Sequence, residues 1–128
     1  MTYRYTIPLT PVSKKNSQRI GRGRDGRAFI LPSKQYQQYE RDALWALRPK
    51  PERPIERPVN VRCLFYMQTR RRVDLTNLLE AADDVLVHAG ILLDDHSGIV
   101  ASHDGSRVLW DKHSPRTEIE ITEVNPHE

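Results

Sequence analysis

Between Val59 and Gly90 the hydrophobic period changes once, from two to about 3.6, and this commits the middle of the chain to a strand followed by a helix. Val59, Val61, Cys63, Phe65 and Met67 alternate with Asn60, Arg62, Leu64 and Tyr66, the pattern of a strand with one buried face. Leu75, Leu78, Leu79, Ala82, Leu86 and Ala89 then share one helical stripe, and Gly90 follows as a C-terminal cap. The rest of the chain has to pack against this unit.

Tyr3, Tyr5, Ile7 and Leu9 alternate with Arg4, Thr6 and Pro8 as a first strand. Residues 10–28 lose all periodicity, carry Pro11, Gly21, Gly23 and Gly26 among basic residues, and read as a flexible loop. Ser33 is placed to cap a helix reaching about Arg48, with Tyr36, Tyr39, Ala43 and Leu47 on one stripe. Those two tyrosines therefore read as core rather than as stacking platforms. Pro49 and Pro51 stop that helix, because proline disfavours helix in the residue before it. Residues 49–58 form a connector, and 99–110 read as strand, folded into a hairpin at Asp104-Gly105. Glu118 to Thr122 alternates as the last strand, and 124–128 is expected to be a disordered tail. The order β-α-β-α-β-β implies one small α+β domain over residues 1–128, a mixed sheet of four to five strands carrying two helices.

A length of 128 residues suffices for one core but not for two domains. No apolar run approaches the roughly 20 residues that span a bilayer, and the N-terminus does not read as a signal peptide, so a cytoplasmic protein is expected. Cys63, the single cysteine, excludes an internal disulfide and reads as a small buried hydrophobe. Charge is divided unevenly. Residues 1–60 hold thirteen Lys/Arg against five Asp/Glu, and residues 61–128 hold seven against twelve. A front half that grips a polyanion and a back half that holds a cation would produce this asymmetry.

Arg70, Arg71 and Arg72 are followed by Asp74, Glu80, Asp83, Asp84, Asp94 and Asp95, with no Lys or Arg among those acids. Asp74 opens the helix and Asp94-Asp95 follow it; the two sets meet only if Ile91-Leu92-Leu93 turns back along the helix. Two carboxylates about 5 Å apart repel by roughly 3 kcal/mol at an effective dielectric near 20, so such a cluster calls for a cation or for protons to neutralise it. Hard divalent ions, Mg²⁺ above all, suit an all-oxygen site. Each acid also has a plain structural reading. Asp74 is a cap or a ligand. Asn77 with Glu80 resembles a capping box, Asp83 and Asp84 lie off the apolar stripe and face solvent, and Asp94-Asp95 fits a surface turn. His96 and His103 are possible neighbours of the site. Lys14, Lys15, Arg19, Arg22, Arg24 and Arg27, opposed only by Asp25, suit a phosphate backbone; the alternative is a solvated loop. The Gly-x-Gly-x-x-Gly of residues 21–26 lacks a βαβ context and does not read as a dinucleotide site.

Arg70-Arg71-Arg72, Asp74, Asn77, Asp84, Gly90, Asp94 and Asp95 resemble, in order and spacing, the signature of the RusA-type Holliday junction resolvases, the crossover junction endodeoxyribonucleases. Pro11-Val12-Ser13-Lys14-Lys15-Asn16 resembles that family's proline, serine and asparagine segment after its first strand. The resemblance covers most of the chain and implies an Mg²⁺-dependent nuclease, with Mn²⁺ as a possible substitute, that nicks a four-way DNA junction symmetrically as a homodimer. Carried over, it implies Asp74, Asp94 and Asp95 as metal ligands, Asp74 and Asp95 as catalytic, and a phage or bacterial recombination role. Two positions depart from the family. Thr76 stands where the best-known members have a second aspartate, and Glu80 where they have a functional lysine. Glu80, one turn from Thr76, is the candidate to replace the missing carboxylate as ligand and catalytic group. Lys14, Lys15, Asn16, Arg19, Arg22, Arg24, Arg27 and Arg70 to Arg72 are the expected DNA contacts, with no small-molecule cofactor. Two alternatives stay open: a DNA-binding module without catalysis, and a metal nuclease for other branched or single-stranded nucleic acids.

Overall fold

Strand β4 (Val59–Met67) is the spine of the sheet. Alternate side chains of a strand point to one face, and here Val59, Val61, Cys63 and Phe65 are all buried. The structure, a computed structural model, describes residues 1–13 and 18–124; the side chains of 18–22 and 28–32 are outside that description. On one side β4 pairs antiparallel with β7 (Arg116–Glu123), and β7 pairs antiparallel with β1 (Thr2–Ile7). On its other side β4 pairs parallel with β5 (Val100–Ser102) and β6 (Arg107–Trp110), Val59 opposite Val100 and Met67 opposite Trp110. This is the mixed five-stranded sheet expected from the chain order.

Parallel neighbours need a crossover, and α2 (Leu75–His88) supplies it by running back along the sheet from the end of β4 to the start of β5. Leu78, Ala82, Val85 and Leu86 bury its apolar stripe in the same core as Val61, Phe65, Ile119 and Ile121 of the sheet. Gly90 takes the left-handed conformation (φ 77°) that ends this helix, and Ile91 N donates to Leu86 O across the turn. Helix α1 (Lys34–Ala46) begins where expected, with Ser33 Oγ accepting from Tyr36 N at 3.1 Å, and buries Tyr36 and Ala43.

Three expectations give way. Segment 99–110 is not a hairpin: β5 and β6 both run along β4 in one direction, as an edge strand interrupted by a turn at His103–Ser106. Side chains replace the ladder bonds that the turn interrupts. Asn60 Oδ1 accepts from Ser102 Oγ and Asp104 N, both at 2.6 Å, and Ser106 Oγ accepts from Cys63 N at 2.9 Å. Gly105 sits in the turn at φ 87°, with the Arg62 side chain close enough to crowd a Cβ. Second, the supposed loop of residues 10–28 contains a strand. β2 (Gln18–Arg22) pairs antiparallel with β3 (Ala28–Pro32), closed by a turn in which Gly26 has φ 81°. Third, Asp83 is buried rather than solvent-facing, for a reason given below. Lys14, Lys15, Asn16 and the tail from 125 to 128 lie outside the described residues. Among the described residues no helix is long and apolar enough to cross a membrane.

Candidate functional site

The end of the sheet where β4 and β6 finish carries an open pocket of about 480 Å³. Pro11 to Ser13 reach it from β1, Gln35 from the first turn of α1, and Met67 from the end of β4. Arg71, Arg72, Val73, Asp74 and Leu78 complete the wall. In a sheet with a parallel crossover, the carboxyl end of the strands is where loops gather and ligands bind. Chain topology therefore brings the basic triplet, the first acid and the proline-serine segment to one place.

Asp74 holds the N-cap position of α2, yet its carboxylate makes no capping bond to the backbone. Its side-chain partner is Asn77, whose Nδ2 donates to Oδ2 at 3.2 Å. Asn77 thus lies within the first turn, and the capping box with Glu80 does not form. Asp74 is exposed and joins no ion pair among the described residues, so a carboxylate oxygen is open to a ligand. Arg70, Arg71 and Arg72 are exposed as well, and none of them pairs with a carboxylate among the described residues. The unused N–H groups of the first helical turn add to the positive potential here, as at any helix N-terminus.

The other acids are elsewhere. After Gly90 the run Ile91-Leu92-Leu93 docks on the connector, with Leu92 bridged to Ile55 and Leu93 N donating to Ile55 O. It does not return along α2. Asp94 and Asp95 are exposed in the following turn, close to where Ile99 O accepts from Val59 N, so they sit at the end of α2 opposite Asp74. A helix of fourteen residues is about 20 Å long. Among the described residues no group of three or more His, Cys, Asp or Glu could hold a metal ion. Thr76 and Glu80 are exposed on α2, and neither lines the pocket. Arg24 and Arg27 are exposed at the tip of the β2–β3 hairpin, where Arg27 reaches Asp25 at 3.5 Å.

Three of the histidines have structural partners. His96 Nδ1 accepts from Gly98 N within its own turn, and His88 meets Glu40 of α1 at 2.8 Å. His103 Nε2 lies 2.9 and 3.1 Å from the two oxygens of Asp83, which explains why that aspartate is buried. The hydrogen bond to Asp83 holds the His103 pKa above its ordinary value of 6.5, against the opposing effect of burial. Cys63 is fully buried, and burial pushes its thiol pKa well up, as expected of a core residue. Sequence reasoning missed both the Asp83–His103 pair, whose members are twenty residues apart, and Trp110. The Trp110 indole is exposed beside the pocket, with the Arg70 guanidinium carbon 4.3 Å from its ring centroid.

No curated protein matches the chain. The family model described as endodeoxyribonuclease RusA matches residues 8–122, from just after β1 into β7, and includes every wall of the pocket. A match over that much of a 128-residue chain means that this protein belongs to the RusA endodeoxyribonuclease family.

Proposed function

We propose that the protein is a divalent-metal-dependent endonuclease that resolves four-way DNA junctions by paired nicks, and that the pocket at Asp74 is where a scissile phosphate binds. One observation carries the reading: an exposed carboxylate that caps nothing shares a pocket with two arginines that pair with no acid among the described residues. Arginine neutralises and orients a phosphate through its planar fork of donors. Asp74 alone suits Mg²⁺ in the form this ion prefers, with one or two carboxylates, several waters and substrate phosphate oxygens. Such an ion would supply an activated water and Lewis-acid stabilisation of the departing 3′ oxygen. The chain's own part is to hold the phosphate at Arg71 and Arg72 and to keep the Asp74 carboxylate facing it.

Asp94 and Asp95 join this reading through a second copy. Because one chain holds them at the far end of α2, a two-fold homodimer that closes on a bound junction is the arrangement that would bring them beside the partner's Asp74, and it would also give the two cuts their two sites. Glu80 remains the candidate substitute for the carboxylate absent at Thr76. A second reading has its own support. The departures at Thr76 and Glu80 and the dispersed acids favour a relative that binds junctions without cutting them.

The test is cleavage of an end-labelled four-way junction by excess protein, with and without Mg²⁺. Asp74→Asn and Asp95→Asn should lose at least a hundredfold in rate while retaining junction binding, and Glu80→Gln should lose rate if it is a ligand. Tight binding by the unaltered protein with no nicking in Mg²⁺ or Mn²⁺ would establish the second reading. Matched flap, duplex and single-strand substrates separate a resolvase from a broader nuclease.

A further inference from the structure

Beside the phosphate pocket, and sharing Met67 and Arg71 with it, lies a second groove of about 440 Å³ whose far wall is β6. β6 is an edge strand, paired with β4 alone. Two apolar side chains are open on it, Val108 at 36% and Trp110 at 45% of their full exposure. The Trp110 indole keeps that exposure although the Arg70 guanidinium lies over its ring. An isolated exposed apolar residue needs no explanation, but a layered Arg–Trp pair at the lip of a cationic pocket has the composition of a single-strand binding site: a charge for the backbone and a π-face for a base.

We infer that the Arg70–Trp110 pair is a stacking platform for one unpaired nucleobase next to the phosphate held at Arg71 and Arg72. This rests on the pocket being the phosphate site. The groove is polyanion-complementary, since Arg70 and Arg71 line it and no Asp or Glu does. A continuous duplex keeps its bases stacked internally and offers no ring to Trp110. The branch point of a junction, where stacking is interrupted, offers one at low cost, because unstacking is the chief expense of exposing a base. The platform would therefore distinguish branched or single-stranded DNA from plain duplex. A contact to a single phosphate is available in duplex and junction alike and supplies no such preference.

Trp45 and Trp110 are the only tryptophans, so Trp45→Phe leaves Trp110 as the sole indole reporter. In that background, a four-way junction and a short single strand should quench Trp110 fluorescence on binding, and a duplex of equal length should not. Abasic nucleotides at the branch point should abolish the quenching. Trp110→Ala should weaken junction binding on the order of tenfold and duplex binding hardly at all, while Trp110→Phe should restore most of the loss. Molar mass by light scattering accompanies each variant. Junction binding without quenching, with Trp110→Ala equal to the unaltered protein, overturns the platform and leaves the nuclease reading intact. A loss of affinity that coincides with a fall in molar mass overturns it too, because β6 is then a contact between copies. Failure to bind any DNA removes both readings.

Discussion

Replacing His103 tests whether the Asp83–His103 pair fastens the crossover helix to the edge strand, and the structure sets the size of the effect. Asp83 hangs from α2, and His103 stands in the turn between β5 and β6, so the pair joins the helix to the edge of the sheet. The Asp83 side chain is 9% exposed and that of His103 is 28% exposed. Breaking a fully buried ion pair costs about 3–5 kcal/mol, and a fully exposed pair is worth under about 1. With one partner buried and the other about a quarter open, His103→Gln should cost about 2 kcal/mol at pH 5.5. The sign of the pH dependence follows from the raised pKa of His103. The folded state holds its proton more tightly than the unfolded chain does. The extra stability is therefore complete below the unfolded value of about 6.5 and is lost as pH rises through the folded value. At pH 8.5 a hydrogen bond from the neutral imidazole to the carboxylate remains, worth about 1 kcal/mol. Urea denaturation of both proteins at pH 5.5 and 8.5, followed by tryptophan fluorescence, measures both quantities. An equal loss at the two pH values would refute the charged pair, and no loss at either would refute the contact itself.

Two further substitutions address the site and the edge strand. Arg71→Gln combined with Arg72→Gln should reduce the slope of log K against log salt for junction binding by about 1.8 per bound copy, at about 0.9 per phosphate contact; an unchanged slope in fluorescence anisotropy titrations would place the phosphate elsewhere. Ser106→Ala leaves the Cys63 N–H without its acceptor in the half-buried turn beside β4. It should cost about 1–2 kcal/mol, read as a melting temperature several degrees lower, whereas Ser106→Thr, which keeps the oxygen, should lose much less.

What could be read in the sequence was what a single periodic segment can carry. The alternation of residues 59–67 and the stripe of 75–89 gave β4 and α2 within a residue or two, because one buried face constrains every second or every third and fourth side chain. Ser33 announced α1 for a similar reason, since a capping oxygen acts on its own turn. The β2–β3 hairpin was missed because arginine and glycine in β2 mask its alternation, and because this two-stranded sheet pairs only with itself. The Asp104-Gly105 turn was recognised, but its role was not. A turn signal does not say whether its flanking strands pair with each other or with a third strand, and here β4 claims both. The basic triplet and Asp74 were legible from their order, and the topology does bring them together. The buried state of Asp83 was not legible, because its partner comes from another element and its helical position alone points away from the apolar stripe.

On the proposed reading, the neighbours of Asp74 also determine when a metal binds. Arg71 and Arg72 share its pocket, and no second carboxylate among the described residues does. In the free protein this corner carries net positive charge and repels a divalent cation, so one carboxylate in water is left to hold it. A bound phosphate reverses the balance, because it neutralises the arginines and adds oxygen ligands of its own. On the proposed reading, metal and DNA therefore bind with positive coupling, and linkage requires each to raise the affinity of the other by the same factor. A coupling of about 2 kcal/mol, typical of such paired sites, is roughly thirtyfold in affinity. Mn²⁺ titration followed by electron paramagnetic resonance should find only weak, millimolar binding to the protein alone. A phosphorothioate junction that resists cleavage should tighten it by about that factor, and Asp74→Asn should remove the gain. A micromolar Mn²⁺ site in the DNA-free protein, unaffected by Asp74→Asn, would mean that the metal is held by acids away from this pocket. Asp94 and Asp95 would then be the first residues to examine.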